Sequence, residues 1–183
     1  MSYCSYIKTL SGLRRVLHQN YHDRCYGFPL HDDHELFGRL LLEINQAGLS
    51  WETILKKESN FRRAYDSFDI SKVAAYGQAD RHRLLADAGI IRHRLKIEAA
   101  IQNAQVILQL QQEWGSFAQW LQEHHACTQE EWIFLFKKKF FFTGSSTVLE
   151  FLMSIGLLPG AHQDDCPIKE KIEKIKSQQQ STI

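Results

Sequence analysis

Apolar residues recur at three- and four-residue intervals through most of this chain. The recurrence predicts helices over 12–19, 33–47, 51–57, 60–67, 70–76, 80–88, 95–114, 116–123, 128–136 and 145–155. No stretch of comparable length alternates with period two, so the fold is read as all-α. Asp69 stands as an N-cap just before Ile70, and Gly77 and Gly156 follow helical runs at the C′ position, where a left-handed residue is needed. Pro29, Pro159 and Pro167 fall in connections, where a missing N–H does no harm. Residues 1–166 are read as one helical domain of two intimate lobes without a flexible linker. The lysine- and glutamine-rich stretch 167–183 is read as a solvated or frayed tail.

One carboxylate disturbs this pattern. In a helix over 33–47, Leu36, Leu40 and Ala47 fall within a narrow angle of Glu43, while Arg39 and Gln46 lie on its other flank, so Glu43 stands at the border of the buried stripe. The plainer reading is a solvated glutamate paired with Arg39 one turn back. The alternative is a functional carboxylate. Three neighbours favour it: an aromatic-dense segment before the helix, the Gly48-Leu49-Ser50-Trp51 turn after it, and a set of metal-ligand types at the two ends of the chain.

Composition narrows the class. At 183 residues, with 44% hydrophobic and 23% charged positions, the chain can bury a core without disulfides. No apolar run has membrane-spanning length, and Met1-Ser2-Tyr3-Cys4 lacks the basic start and apolar stretch of a secretory signal, so a cytoplasmic location with no membrane partner is expected. Net charge is +1, so a nucleic-acid partner requires basic residues gathered on one face.

Four cysteines in such a chain argue for thiols over disulfides and make metal binding worth considering. Cys4 and His22 near the start, with His162 and Cys166 near the end, offer two sulfurs and two imidazoles. That donor set suits a closed tetrahedral zinc site that would tie the chain ends together. Chance proximity of these residue types is the competing reading, since the chain holds nine histidines. Cys25 and Cys127 have no partners at metal spacing and are read as inert.

The stretch 84–97 reads as helix, tight turn at Gly89, then a long helix whose inner face carries Ile97, Ile101, Ala104 and Leu108: a helix-hairpin-helix. Arg92, His93, Arg94 and Lys96 at its tip, beside a helix N-terminus, form a candidate clamp for DNA phosphates that reads backbone and not sequence. A plain helical corner with solvated charges fits equally. Lys56-Lys57 and Lys137-Lys138-Lys139 could extend the same basic face or be ordinary solvated charge. Tyr3, Tyr6, Tyr21, Tyr26 and Phe28 crowd the segment before the Glu43 helix. Of these, Tyr6, Tyr21 and Tyr26, together with Trp51, are candidate stacking faces for a nucleobase, with core packing as the alternative for any single one.

Taken together, these residues resemble the bacterial DNA-3-methyladenine glycosylase I family of the helix-hairpin-helix superfamily over nearly the whole chain. The likeness rests on Cys4; on Tyr21-His22-Asp23 followed by Gly27 and Pro29; on Glu43 with Gln46-Ala47-Gly48-Leu49-Ser50-Trp51; and on Leu55-Lys56-Lys57. It continues through Asp87-Ala88-Gly89-Ile90-Ile91-Arg92-His93-Arg94, Phe142-Thr143-Gly144, and His162 with Cys166. The resemblance implies a helix-hairpin-helix glycosylase fold with a zinc site joining the N- and C-terminal segments. It makes Cys4, His22, His162 and Cys166 the structural zinc ligands, Glu43 the base-recognising carboxylate, and Tyr21 and Trp51 the pocket lining. It implies a monomer that acts on double-stranded alkylated DNA, flips out and hydrolytically releases 3-methyladenine, and leaves an abasic site.

The chain departs from the family pattern at Tyr26, where Trp is common, and at Ile44 and Leu95, where Gly is common. It departs again at Leu149, with Glu150 beside it, where a Tyr is common. These changes bear on pocket shape and on the phosphate clamp and leave standing a noncatalytic zinc-stabilised binder of damaged or bent DNA; a catalytic zinc hydrolase is a third, separate reading. The substrate chemistry favours the glycosylase. An N3-methylated adenine is cationic and its glycosidic bond already weakened, so an ionised Glu43 accepting a hydrogen bond from the exocyclic amine would select it over a guanine carbonyl.

Overall fold

A computed structural model describes residues 2–180. Eleven α-helices occur, with no strand among the described residues: α1 (Tyr3–Lys8), α2 (Gly12–Arg24), α3 (Asp33–Gln46), α4 (Trp51–Ala64), α5 (Ile70–Ala74), α6 (Gln78–Ala86), α7 (Arg94–Trp114), α8 (Phe117–Glu123), α9 (Gln129–Lys139), α10 (Ser145–Ser154) and α11 (Pro167–Gln180). The all-α expectation holds. None of these helices is long and apolar enough to cross a membrane. The chain divides into two compact units, His31–Phe151 and the paired segments Met1–Leu30 with Leu152–Ile183.

The larger unit is built round α3. Asp32 caps it by accepting from the Glu35 N–H at 2.9 Å, and acidic Asp33 and Glu35 occupy the positive end of its dipole. Helices α4, α5, α7 and α8 all pack on it. Every residue from Leu36 to Ile44 except Arg39 is buried, including Leu41 and Leu42 on what a one-stripe helix would expose. A helix wrapped in this way has no solvated border, which is why the surface reading of Glu43 fails. Gly38 permits one of these contacts: a Cβ there would meet the Phe68 ring at 2.3 Å. Phe68 is set by a left-handed turn over Asp66, Ser67 and Phe68, all at positive φ, with the Arg62 guanidinium 4.8 Å above its ring and forked onto Glu35 at 2.7 and 2.8 Å.

The predicted helices over 51–57 and 60–67 are one continuous helix, α4. Asp69 caps α5 as expected, accepting from the Lys72 N–H at 3.0 Å. Gly77 does not take the left-handed C′ conformation; it is the N-cap of α6 with φ −96°, and its N–H donates to Asp80 at 3.1 Å. Between α6 and α7, Asp87 Oδ1 accepts from the Gly89 N–H at 2.7 Å, and Ile90 is buried. Lys57 donates to the Ala88 and Gly89 carbonyls at 2.9 and 3.0 Å, so this lysine braces the turn and is not free to extend a basic face.

In the smaller unit, α1, which the apolar period did not reveal, packs on α2. Gly27 at φ +80° donates its N–H to the Ser154 carbonyl at 2.8 Å. Gly156 is left-handed at φ +74°, as the sequence pattern requires, and a Cβ there would strike the Gly27 oxygen at 2.5 Å. The stretch after Cys166 is corrected. Its described part is the helix α11, anchored by buried Ile172 and by Lys176, which donates to the Gly156 carbonyl at 2.5 Å; residues 181–183 of the expected tail lie outside the described residues. Alternate lysines and glutamates on α11 form i,i+4 pairs that solvate a helix as readily as a coil, so composition alone did not distinguish the two.

Candidate metal centre and base-recognition residues

Cys4, His22, His162 and Cys166 come together in the smaller unit, their ligand atoms all within 4.8 Å of one another. His22 Nε2 lies 3.2 Å from Cys4 Sγ, 3.8 Å from Cys166 Sγ and 3.1 Å from His162 Nδ1. His162 Nδ1 is in turn 3.7 Å from Cys4 Sγ and 3.6 Å from Cys166 Sγ. Helix α1 presents Cys4, α2 presents His22, and the loop from Ala161 into α11 presents the other two. The close approach depends on Gly27, where a Cβ would meet Ala161 Cβ at 2.8 Å and the His162 ring at 3.2 Å. These four residues can hold a metal ion.

A second layer of hydrogen bonds, which the sequence reading missed, orients both rings. His22 Nδ1 donates to Asp23 Oδ1 at 2.6 Å, leaving Nε2 for the cluster. His162 does the reverse, donating Nε2–H to the Tyr26 carbonyl at 2.7 Å and leaving Nδ1. Burial lowers the His162 pKa and so favours the neutral ring that a ligand must be. The signal available in sequence was the direct succession of Asp23 on His22.

Tyr21 and Tyr26 are buried in the same unit, with ring centroids 5.7 Å apart, and Tyr3 stands edge-on to both at 6.1 and 5.3 Å. Tyr6, half-buried, stacks on Tyr3 at 6.4 Å and accepts from Arg14 at 3.4 Å. The aromatic cluster is continuous with the cysteine–histidine cluster, since the His162 ring lies 5.7 Å from that of Tyr26.

In the larger unit, Glu43 is 5% exposed on α3, and among the described residues it has no hydrogen-bond partner. Burial pushes its carboxyl up to about 8, with the Glu150 carboxylate adding to the rise and Arg39 opposing both. Near neutral pH this raised value favours the protonated carboxyl in the absence of a cationic ligand. Trp51, half-buried, is the first residue of α4; it follows the left-handed Gly48 at φ +80° and the cap Ser50.

The hairpin residues separate into two groups. Arg92, His93 and Arg94 are exposed, and His93 caps α7 by accepting from the Lys96 N–H at 3.3 Å. Lys96 is not on that surface. It is 5% exposed, and its ammonium donates to the carbonyls of Asn45 at 2.9 Å and Ala47 at 2.7 Å. Its place as a phosphate contact is thus corrected: as the third residue of α7, Lys96 turns inward while Arg94 at the helix start stays exposed.

Residues 13–133 match a family described as methyladenine glycosylase. The chain is 52% identical over 92 residues to DNA-3-methyladenine glycosylase 1 of Escherichia coli, a match that takes in 50% of this chain and 49% of that protein, so it spans about half of that relative's length. It is 34% identical over 169 residues to the DNA-3-methyladenine glycosylase of Haemophilus influenzae, covering 82% of this chain and 91% of the relative. The fold superposes with a TM-score of 0.82 and 34% identity on a tyrosine-to-phenylalanine variant of 3-methyladenine DNA glycosylase I in complex with 3-methyladenine, covering 92% and 98% of the two chains. A Staphylococcus aureus 3-methyladenine DNA glycosylase I structure gives a TM-score of 0.76 at 35% identity over 84% of this chain and 91% of that one.

Proposed function

The chain belongs to the methyladenine glycosylase family, and from that premise we propose that it is a monofunctional base-excision repair hydrolase that flips 3-methyladenine out of alkylated duplex DNA, cleaves its N-glycosidic bond and leaves an abasic site. One observation carries the reading: Glu43 is a buried carboxyl with no hydrogen-bond partner among the described residues. Such a group is costly in a folded core and persists where a ligand completes it. A cationic purine does so. Its charge draws the Glu43 carboxyl down to the ionised form, the carboxylate accepts from the exocyclic amine, and the proton leaves to solvent. A neutral adenine offers the same donor without the charge, and a guanine offers a carbonyl that the anion repels.

Trp51 holds the extruded ring by stacking and cation–π attraction, contributing roughly 0.5–2 kcal/mol. Arg92 and Arg94, on the turn of a helix-hairpin-helix, neutralise backbone phosphates without sequence preference, and His93, whose Nδ1 accepts from the Lys96 N–H, offers a phosphate only its remaining ring N–H. Extrusion costs a few kcal/mol, least for a damaged base, so the intrinsic lability of the methylated nucleoside and capture of the cation share the work of selection.

The metal is zinc. Four zinc ligands at tetrahedral angles stand about 3.3 Å apart for two nitrogens and about 3.6 Å for nitrogen and sulfur. The one nitrogen–nitrogen distance of 3.1 Å and the four nitrogen–sulfur distances of 3.2–3.8 Å lie near those values. When bound, zinc supplies a cross-link between α1, α2 and the approach to α11. Held by all four residues, the ion would have no open position for a water and would serve as a structural tie. The protein acts as a monomer in the bacterial cytoplasm. The test is release of free 3-methyladenine from methylated duplex by the zinc-loaded protein, with Glu43→Gln abolishing release; undiminished release by that variant would overturn the assignment.

A further inference from the structure

Lys96 has a buried ammonium and, among the described residues, no carboxylate partner. A desolvated lysine is unfavourable unless fixed dipoles take the place of water. Here they are the carbonyls at the negative end of α3. Near the end of that helix, the Ile44 carbonyl accepts from the Ala47 N–H at 3.4 Å and the Gln46 carbonyl from the Leu49 N–H at 2.7 Å. The Asn45 and Ala47 carbonyls alternate with these along the chain, and each accepts from Lys96 Nζ, at 2.9 and 2.7 Å. Ala47 has already left the helical conformation at ψ 116°, so no further turn of helix stabilises this end. Glu43 sits within that last turn.

The other end of Lys96 is equally fixed. Its backbone N–H bonds the His93 ring at 3.3 Å and the His93 carbonyl at 3.0 Å, and Nζ lies 5.8 Å from the centre of the Phe142 ring. Phe142 is held at φ +60°, with its ring 6.0 Å from that of His93. One side chain therefore connects the exposed turn bearing Arg92 and Arg94 to the terminus of the helix bearing Glu43.

We propose that Lys96 is a positioning residue that locks the end of the Glu43 helix to the phosphate-binding turn, so that docking of the turn on DNA and placement of the base-recognising carboxylate are set by one rigid link. This rests on the function proposed above for Glu43 and for the turn. Lys96 touches neither base nor phosphate. Its effect passes through α3.

Lys96→Met keeps the length and apolar stem while removing the charge and donors. Three quantities are compared with the parent: affinity for free 3-methyladenine, affinity for undamaged duplex with its salt dependence, and amide hydrogen exchange over 44–49 without any ligand. The expected result is at least tenfold weaker base binding and at least tenfold faster exchange over 44–49, with duplex affinity and salt slope within twofold of the parent. Weaker duplex binding and a shallower salt slope, with base affinity and exchange unchanged, would make Lys96 a phosphate contact and overturn the proposal. Loss of thermal stability with base affinity and local exchange unchanged would reduce it to a structural residue, also overturning it. If the parent itself captures no base, the proposed function fails, and the exchange measurement still decides whether Lys96 locks the helix. If the methionine variant does not fold, Lys96→Gln is held to the same outcomes.

Discussion

His162 donates Nε2–H to the Tyr26 carbonyl at 2.7 Å while its Nδ1 stands 3.1 Å from His22 Nε2. One imidazole thus joins the metal cluster to the backbone of the tyrosine segment. Removal of the ion by a chelator is expected to loosen the Tyr3, Tyr21 and Tyr26 cluster, lowering Tm by roughly 10 °C or more. Near-UV circular dichroism follows the tyrosines. Amide exchange should rise across α1 and α2 and not across α4 or α7, and added zinc should restore both signals.

The 2.6 Å bond from His22 Nδ1 to Asp23 fixes which nitrogen faces the cluster. Asp23→Ala is expected to weaken zinc binding about 10- to 100-fold, and Asp23→Asn, whose amide oxygen still accepts, distinctly less. Chelator competition measures both. Equal affinities for all three proteins would show that Asp23 does not orient the ring.

Much of this was legible in the sequence, for reasons particular to each element. Long amphipathic helices such as α7 follow their apolar period, and Asp69 and Gly156 punctuate the chain because a side-chain cap and a left-handed φ demand few residue types. The two cysteines and two histidines were readable as a candidate donor set, yet only folding shows that residues 158 positions apart lie 3.7 Å from each other. What escaped was set by packing. The nearly continuous burial of α3 depends on the helices around it, so Glu43 looked like a stripe edge when it is enclosed. Lys96 has the composition of a DNA contact and the position of a helix clamp, and its spacing from Arg94 is compatible with either.

Stability should depend on pH through Glu43. Its folded pKa, about 8, lies above the ordinary value of 4.5, so across that window the folded state binds more protons than the unfolded chain. Stability is then greatest below the ordinary value and declines as pH rises through about 8, by on the order of 1.4 kcal/mol per pH unit at most. Glu43→Gln removes this component. Denaturant unfolding of parent and variant across the window measures the difference, which should grow with pH in favour of the variant; a constant difference would contradict the assigned shift.

Arg92 and Arg94 are exposed beside the start of α7. Replacing both with alanine is expected to weaken binding to duplex of any sequence and to reduce the salt slope by about 2, at roughly 0.9 for each phosphate no longer neutralised. Affinity for free 3-methyladenine should be unaffected. Fluorescence anisotropy over a salt series reads the slope, and a sequence-selective weakening would mean that these arginines read bases.

If the buried carboxyl on α3 recognises a cationic purine, release of that purine from DNA depends on Glu43. The most direct test of this dependence is chromatography of free bases after zinc-loaded protein is incubated with duplex carrying 3-methyladenine. The parent is expected to release 3-methyladenine and leave abasic sites, and Glu43→Gln to release it at least roughly 100-fold more slowly while staying folded and metal-loaded. No release by the parent, or equal release by the variant, would contradict the account.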